Sequence, residues 1–352
     1  MTRPRAGGGP GRQRPLLAVV GLAAAAACGD GGRAPAFPSF EPVDRRLESV
    51  PADEIWWVGG DPADTLLLLP VDLAAREGAV YVLDRYGHRV AAFDAATGAH
   101  RWTRGRRGSG PGELESPREL APTAAAGMAV ADGGNPRIAR LSADGAFEAS
   151  LPLRETGSAR SICGLPGGDW LVATLDPDRR LARVGADGTG AGAIALPGPY
   201  GLDVPPIATQ VLLAGGGRDP CALLFRLGAG FAVFEAGAFG SFRPYVEPVK
   251  PPAVEVESGG RRTVSQLTEP TAAALDAAVA ADELWVLFAG LGDEAGRLLD
   301  RYALRDGRYL GTWLLPFRAD AFALDDARLY VLARRAGYPV VVALPRPGGP
   351  VG

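Results

Sequence analysis

Histidine, asparagine and lysine are nearly missing from this 352-residue chain: His88 and His100, Asn135 and Lys250 are all there is. A metal centre needs three or four ligands held by supporting groups, and two His do not supply one, so a structural or surface role fits both. The three Cys, Cys28, Cys163 and Cys221, lie far apart, so no haem-attachment Cys-x-x-Cys-His occurs. The Gly-rich stretch Gly108–Gly112 lacks the Gly-Lys-Ser/Thr of a phosphate-binding P-loop. Positive charge is not in excess either, with 37 basic against 40 acidic residues and a formal net charge of −3, which disfavours general nucleic-acid binding.

What is present is a repeat. Gly78–Leu120 contains a short apolar β-prone strand, Ala79–Leu83, then a turn over Asp84–His88 and a second strand, Arg89–Phe93. A tight turn at Ala95–Gly98 follows, then a more polar strand, His100–Thr103, and a Gly/Pro-rich link, Gly105–Pro117. A further strand around Arg118–Ala121 opens the next unit. Copies start at Gly127, Gly168, Cys221 (degenerate), Asp282 and Asp326, and each of these except the Cys221 and Asp326 copies keeps an Asp-Gly turn, at Asp144-Gly145, Asp187-Gly188 or Asp306-Gly307. A period of about 40 to 60 residues is the range of radial repeats of four-stranded sheets. Six units predict an all-β, six-bladed β-propeller with four-stranded antiparallel blades. Its many small cores suit a chain long for one ordinary core.

The first two units carry a resemblance. Val130–Gly145 (VADGGNPRIARLSADG) resembles an NHL-type repeat, and Gly108–Pro117 (GSGPGELESP) resembles the loop that precedes one. More widely, Val71 to the C-terminus is similar to secreted bacterial six-bladed propeller proteins of uncharacterised role. The resemblance implies a fold and implies binding more often than catalysis; it names no substrate.

The N-terminus reads as an export signal over residues 1–27. Arg3, Arg5, Arg12 and Arg14 form a basic start, and Leu16–Ala27 is apolar but too short to span a bilayer. Removing it takes 37 basic residues to 33 against 40 acidic ones, a formal −7. Ala25-Ala26-Ala27-Cys28 resembles a bacterial lipobox, with Ala25 where that family prefers Leu, and implies acylation of Cys28. Ordinary signal cleavage would cut at the same bond. Residues 28–40 read as a flexible tether and 41–352 as a single propeller domain. The expected address is the cell envelope, periplasmic or outer-surface, with membrane attachment through the lipid alone; without the lipid the protein is secreted.

The last unit offers only three strands, Ala319–Leu324, Leu329–Ala333 and Val340–Leu344. An open ring would expose an unpaired edge, so the N-terminal Glu54–Val58 (EIWWV) is expected to supply the missing outer strand. One of Trp56 and Trp57 then packs between blades and the other lies at the rim; the alternative is a Trp binding patch. Between the fourth and fifth units, residues 247–270 fall outside the repeat and read as an extra β-hairpin around Ser258-Gly259-Gly260, either a binding decoration or a solvated one.

Three groups carry candidate chemistry. Asp84 and Asp132, each five residues before an Arg (Arg89, Arg137), read either as latches on turn amides or as cation or polar-ligand contacts at the channel mouth. Arg104, Arg106 and Arg107, with Arg101, run into the Gly-rich loop and could meet a phosphate or sulfated glycan; the alternative is a solvated loop. Cys163 and Cys221 fall on neighbouring units and are either bridged in an oxidising compartment or two buried thiols. The expected function is a non-catalytic extracytoplasmic binding module, a monomer without a cofactor, whose ligand is an unspecified protein or glycan and not a nucleic acid. The alternative is a metal-dependent propeller hydrolase or lyase with an acidic site on the ring axis. A lactonase-like site needs several Asn and Glu, and a metal lyase several His; the chain has one Asn and two His.

Overall fold

The computed structural model describes residues 43–347 apart from 177, 191, 199–209, 250–254, 257–261, 264–271 and 291. Cys28 and the stretches expected to be a signal and a tether lie outside the described residues. Six mainly antiparallel sheets carry nearly all the described regular structure, and among the described residues one short 3-10 turn, Gly292–Glu294, is the helical element. No helix among the described residues is long and apolar enough to cross a membrane.

Blade 1 runs Pro70–Arg76, Ala79–Asp84, Arg89–Asp94 and His100–Arg104 from axis to rim. Blade 2 runs Pro117–Pro122, Met128–Asp132, Arg137–Leu141 and Phe147–Pro152, and blade 3 Ser161–Gly164, Trp170–Ala173, Leu181–Val184 and Gly192–Ala193. Blade 4 is Val211–Gly216, Asp219–Phe225, Gly230–Glu235 and Ala238–Phe239, with Arg243–Pro244 also pairing on its third strand. Blade 5 is Ala274–Ala280, Glu283–Phe288, Leu298–Ala303 and Tyr309–Leu314. Blade 6 takes Ala319–Leu324, Arg328–Arg335 and Tyr338–Pro345 from the C-terminal end of the chain. The inner strands neighbour one another in chain order, and that of blade 6 neighbours that of blade 1, so the ring is closed.

The second strands are apolar throughout because both faces are covered: Ala79–Asp84 is buried at every residue. Each blade packs its two faces against its two neighbours, giving six separate apolar clusters, one per junction.

Trp56–Gly59 completes blade 6, pairing antiparallel with Tyr338–Pro345 in the register Trp56↔Ala343 to Gly59↔Val340. The ring is therefore closed by the N-terminal strand. Trp56 is buried against blade 1, with its Nε1 donating to the Ala95 carbonyl at 3.1 Å. Trp57 is exposed at the rim, with the Arg335 guanidinium 5.2 Å from its ring centroid. A strand the sequence did not announce, Leu47–Ser49, adds a fifth member to blade 5, parallel to its outer strand. Arg45 anchors it: the guanidinium forks onto buried Asp300 at 3.1 and 3.0 Å and also meets Glu247. Of the extra hairpin, two short pieces are described, Glu255–Val256 and Arg262–Thr263, and they pair antiparallel; the expected turn between them lies outside the described residues.

Candidate functional site

The two latch aspartates sit at the end of their blades' second strands and are fully buried. Asp84 accepts the backbone N–H of Leu68, Leu69 and Gly87 at 3.1, 2.9 and 3.0 Å and the Arg89 guanidinium at 3.1 Å. Asp132 accepts the Glu115 N–H at 2.7 Å, Asn135 Nδ2 at 2.9 Å and Arg137 Nε at 2.9 Å. Arg137 reaches on to the Ser109 and Glu113 carbonyls at 2.8 and 2.6 Å. The carboxylates thus tie each blade's turn to the loop arriving from the rim, and neither lines the axial cavity.

The arginines of the Gly-rich loop are exposed and locally matched. Arg106 pairs with Glu113 at 2.8 Å and Arg107 with Glu115 at 3.0 Å. The Gly110 N–H and then Arg106 hold Glu113 below the usual carboxylate range. Arg104 lies 5.9 Å from the Trp102 ring centroid. Of the two His, His88 accepts the Ser116 N–H on Nδ1, and His100 Nε2 bonds the Thr103 hydroxyl. Among the described residues no three His, Cys, Asp or Glu side chains stand close enough to hold a metal ion. Cys163 and Cys221 form a disulfide, with Cα atoms 6.1 Å apart, between the inner strand of blade 3 and the second strand of blade 4.

The ring axis holds what the sequence reading did not find. Two adjoining cavities of about 250 and 320 Å³ lie along it, sharing Val71, Arg118, Arg160, Leu212 and Arg226 in their walls. One position recurs on every inner strand: Asp72, Glu119, Ser161, Leu212, Asp276 and Ala321, paired in register with Leu83, Ala131, Ala173, Leu224, Leu287 and Leu332. Where this position is polar it bonds the next blade. Asp72 accepts the Leu120 N–H at 2.6 Å and Asp276 the Phe322 N–H at 2.8 Å. Glu119 accepts the Ser161 hydroxyl at 2.9 Å and the Ile162 N–H at 3.3 Å, and Ser161 in turn accepts the Leu213 N–H at 2.7 Å. Four of the six junctions are latched this way; Leu212 and Ala321 leave the other two apolar.

Burial dominates the titration of these axial acids. It pushes Asp72 well above the ordinary carboxylate value, with the Asp276 charge adding to it, and does the same to Glu119, with Asp72 adding. Asp276 is raised to about 6 by burial. The deep part of the cavity is therefore closer to neutral than its three acids suggest.

The mouth has the opposite character. One residue before the latch, about 3.3 Å of strand, the six blades carry Val71, Arg118, Arg160, Val211, Leu275 and Asp320. Two residues past the latch's register partner on the second strand they carry Arg85, Gly133, Leu175, Arg226, Ala289 and Arg334. In blade 6 these two positions neutralise each other, Arg334 to Asp320 at 3.3 Å. In blades 1 to 4 they leave Arg85, Arg118, Arg160 and Arg226, all lining the cavity and none with a guanidinium hydrogen bond or ion pair among the described residues, although the Arg226 charge acts on Asp276. Arg118 is half-buried, its Nε without a partner, and its charge is disfavoured by burial and then by Arg160 and Arg85. Gly133 makes room for it: a Cβ there would stand 2.4 Å from Arg118 Nε. The sequence holds each of these arginines singly; the repeat register alone brings them together.

No family model matches the sequence, and no curated protein matches it. Solved structures share the fold. A protein of unknown function from Bacteroides thetaiotaomicron is 11% identical with a TM-score of 0.50, over 82% of this chain and 72% of that one. The WD40 repeats of RRP9 are 10% identical with a TM-score of 0.50, over 85% of this chain and 99% of that one. The virginiamycin B lyase of Staphylococcus aureus is 12% identical with a TM-score of 0.47, over 78% and 94% of the two chains. At these identities the likeness to the first two is one of fold alone.

Proposed function

We propose that the protein is a non-catalytic extracytoplasmic binding module, exported by its N-terminal signal and anchored through acylated Cys28, whose ligand enters the axial cavity from the arginine-lined face. One observation carries the reading: four arginines from four blades line a single cavity with no ion pair among the described residues, and only Arg226 has a carboxylate, Asp276, within its field. Guanidiniums are permanently charged, and a protein holds several together without counter-charges at a cost in stability that a ligand offsets. The hydrolase or lyase reading draws support from the three axial acids, Asp72, Glu119 and Asp276. It ranks second because both oxygens of Asp72 and of Asp276 accept backbone amides and one oxygen of Glu119 accepts the Ser161 hydroxyl and the Ile162 amide.

The described six-bladed ring lies within residues 43–347, so residues 28–352 with Cys28→Ser retain it. Thermal melting of that protein, with EDTA, with calcium, and with a panel of neutral sugars, phosphorylated compounds and carboxylic acids, tests the proposal. A binding module responds to one ligand class and ignores EDTA. A melting temperature that EDTA lowers and calcium restores would favour the enzyme reading.

A further inference from the structure

We infer that the axial mouth binds a small molecule bearing a tetrahedral oxyanion, a phosphate or sulfate ester, through Arg85, Arg118, Arg160 and Arg226. The inference rests on the axial binding reading and adds the ligand class to it. Three features of the site lead there.

The first is charge. Four arginines line one cavity, and the acids one residue deeper, Asp72, Glu119 and Asp276, hydrogen-bond the next blade and are pushed toward the neutral form by burial, Asp276 being partly drawn back by the Arg226 charge. A single carboxylate would leave most of that charge unmatched. A tetrahedral oxyanion with three free oxygens, carrying two charges as a phosphate ester and one as a sulfate ester, can accept several guanidinium forks at once. The second is the contrast within the ring. In blade 6 the equivalent positions supply their own counter-ion, Asp320 to Arg334, so the repeat can neutralise this site and in blades 1 to 4 does not. The third is size. A cavity of about 320 Å³ lies at the lower end of small-molecule pockets, which run from about 300 to 1,000 Å³. It suits an ester of monosaccharide size and not a polymer lying across the ring. The exposed loop arginines Arg106 and Arg107 have their own carboxylates and take no part.

The experiment is calorimetric titration of residues 28–352 (Cys28→Ser) at constant ionic strength with inorganic phosphate, inorganic sulfate, glucose 6-phosphate, glucose and citrate. Binding is expected for at least one of the three oxyanion compounds and for neither glucose nor citrate. The phosphate and sulfate arms separate the two sources of the oxyanion, since only the phosphate compounds should bind more tightly as pH passes their second ionisation, near 6 for glucose 6-phosphate. Losing one charge-assisted bond weakens binding by about tenfold or more, so Arg118→Met is expected to do so and Arg107→Ala to leave affinity unchanged. Because Arg118 is a crowded cation without a partner, Arg118→Met should melt at or above the parent temperature when no ligand is present. Silence from all three oxyanion compounds overturns the inference, as does a lower melting temperature for Arg118→Met. Binding of glucose or citrate alone also overturns it while leaving the axial binding reading in place. That reading falls separately, if no compound of the wider melting panel binds.

Discussion

A buried acid in this protein is defined by what its oxygens accept. Asp132 accepts a charged guanidinium and two N–H donors, whereas Asp276 accepts two amides and faces other acids across the axis. The two should respond to mutation and pH in different ways. Asp132→Ala leaves Arg137 charged and nearly buried without its partner, and breaking such a pair costs about 3–5 kcal/mol; urea denaturation should show a loss of that order. For Asp276 the sign runs against the usual acid denaturation. Its folded-state value, about 6, lies above the ordinary 3.8, so the folded protein binds the proton first and this group's contribution to stability rises as pH falls from above 6 toward 4. Melting temperature followed over that range should show this component in the parent and lose it in Asp276→Asn. The Asp-Arg pairs were legible because both partners lie five residues apart and the spacing repeats. The axial acids were not, because each bonds a strand 43 to 48 residues away in the next blade.

At the level of elements, the closing strand reproduces an ordinary outer strand. Trp56 donates to the Ala95 carbonyl and covers Gly98 in the blade 1 turn. Trp102, on the outer strand of blade 1, donates to the Ala143 carbonyl and covers Gly145 in the blade 2 turn. Both glycines have positive φ, 71° and 81°, and a Cβ at either would stand within 2.8 Å of the Trp ring. The Asp-Gly and Thr-Gly turns read from sequence as backbone geometry are therefore also the seats of inter-blade contacts. Trp56→Ala should cost about 3–5 kcal/mol, the range for a buried Trp, and Trp57→Ala, at the exposed rim, under about 1 kcal/mol, both measured by chemical denaturation. The closing strand was legible because the last unit lacked a strand and EIWWV was the segment that fitted. Leu47–Ser49 was not, because three exposed residues carry no apolar pattern; the anchor is Arg45 on Asp300, 255 residues away.

Across the whole molecule, six separate cores replace one, and the Cys163–Cys221 bridge staples two of the blades. It closes 58 residues of chain, for which loop entropy gives about 4 kcal/mol of stabilisation. Reduction, or Cys163→Ala with Cys221→Ala, should lower the melting temperature without unfolding the ring, as checked by circular dichroism. The architecture was legible because a propeller repeats its turns and buried strands. The mouth was not, because Arg118 and Arg160 share one repeat position and Arg85 and Arg226 another, and a linear reading shows no cluster. The consecutive arginines that do stand out in sequence, Arg106 and Arg107, are matched to their own glutamates.

The most direct measurement compares ligand-dependent melting shifts in the parent with those in Leu212→Trp, which fills the axis where both cavities meet, and in an Arg106→Ala, Arg107→Ala double variant of the outer loop. If the ligand sits on the axis, the shifts disappear in Leu212→Trp and persist in the loop variant. The opposite pattern would move the function to the rim and contradict the account.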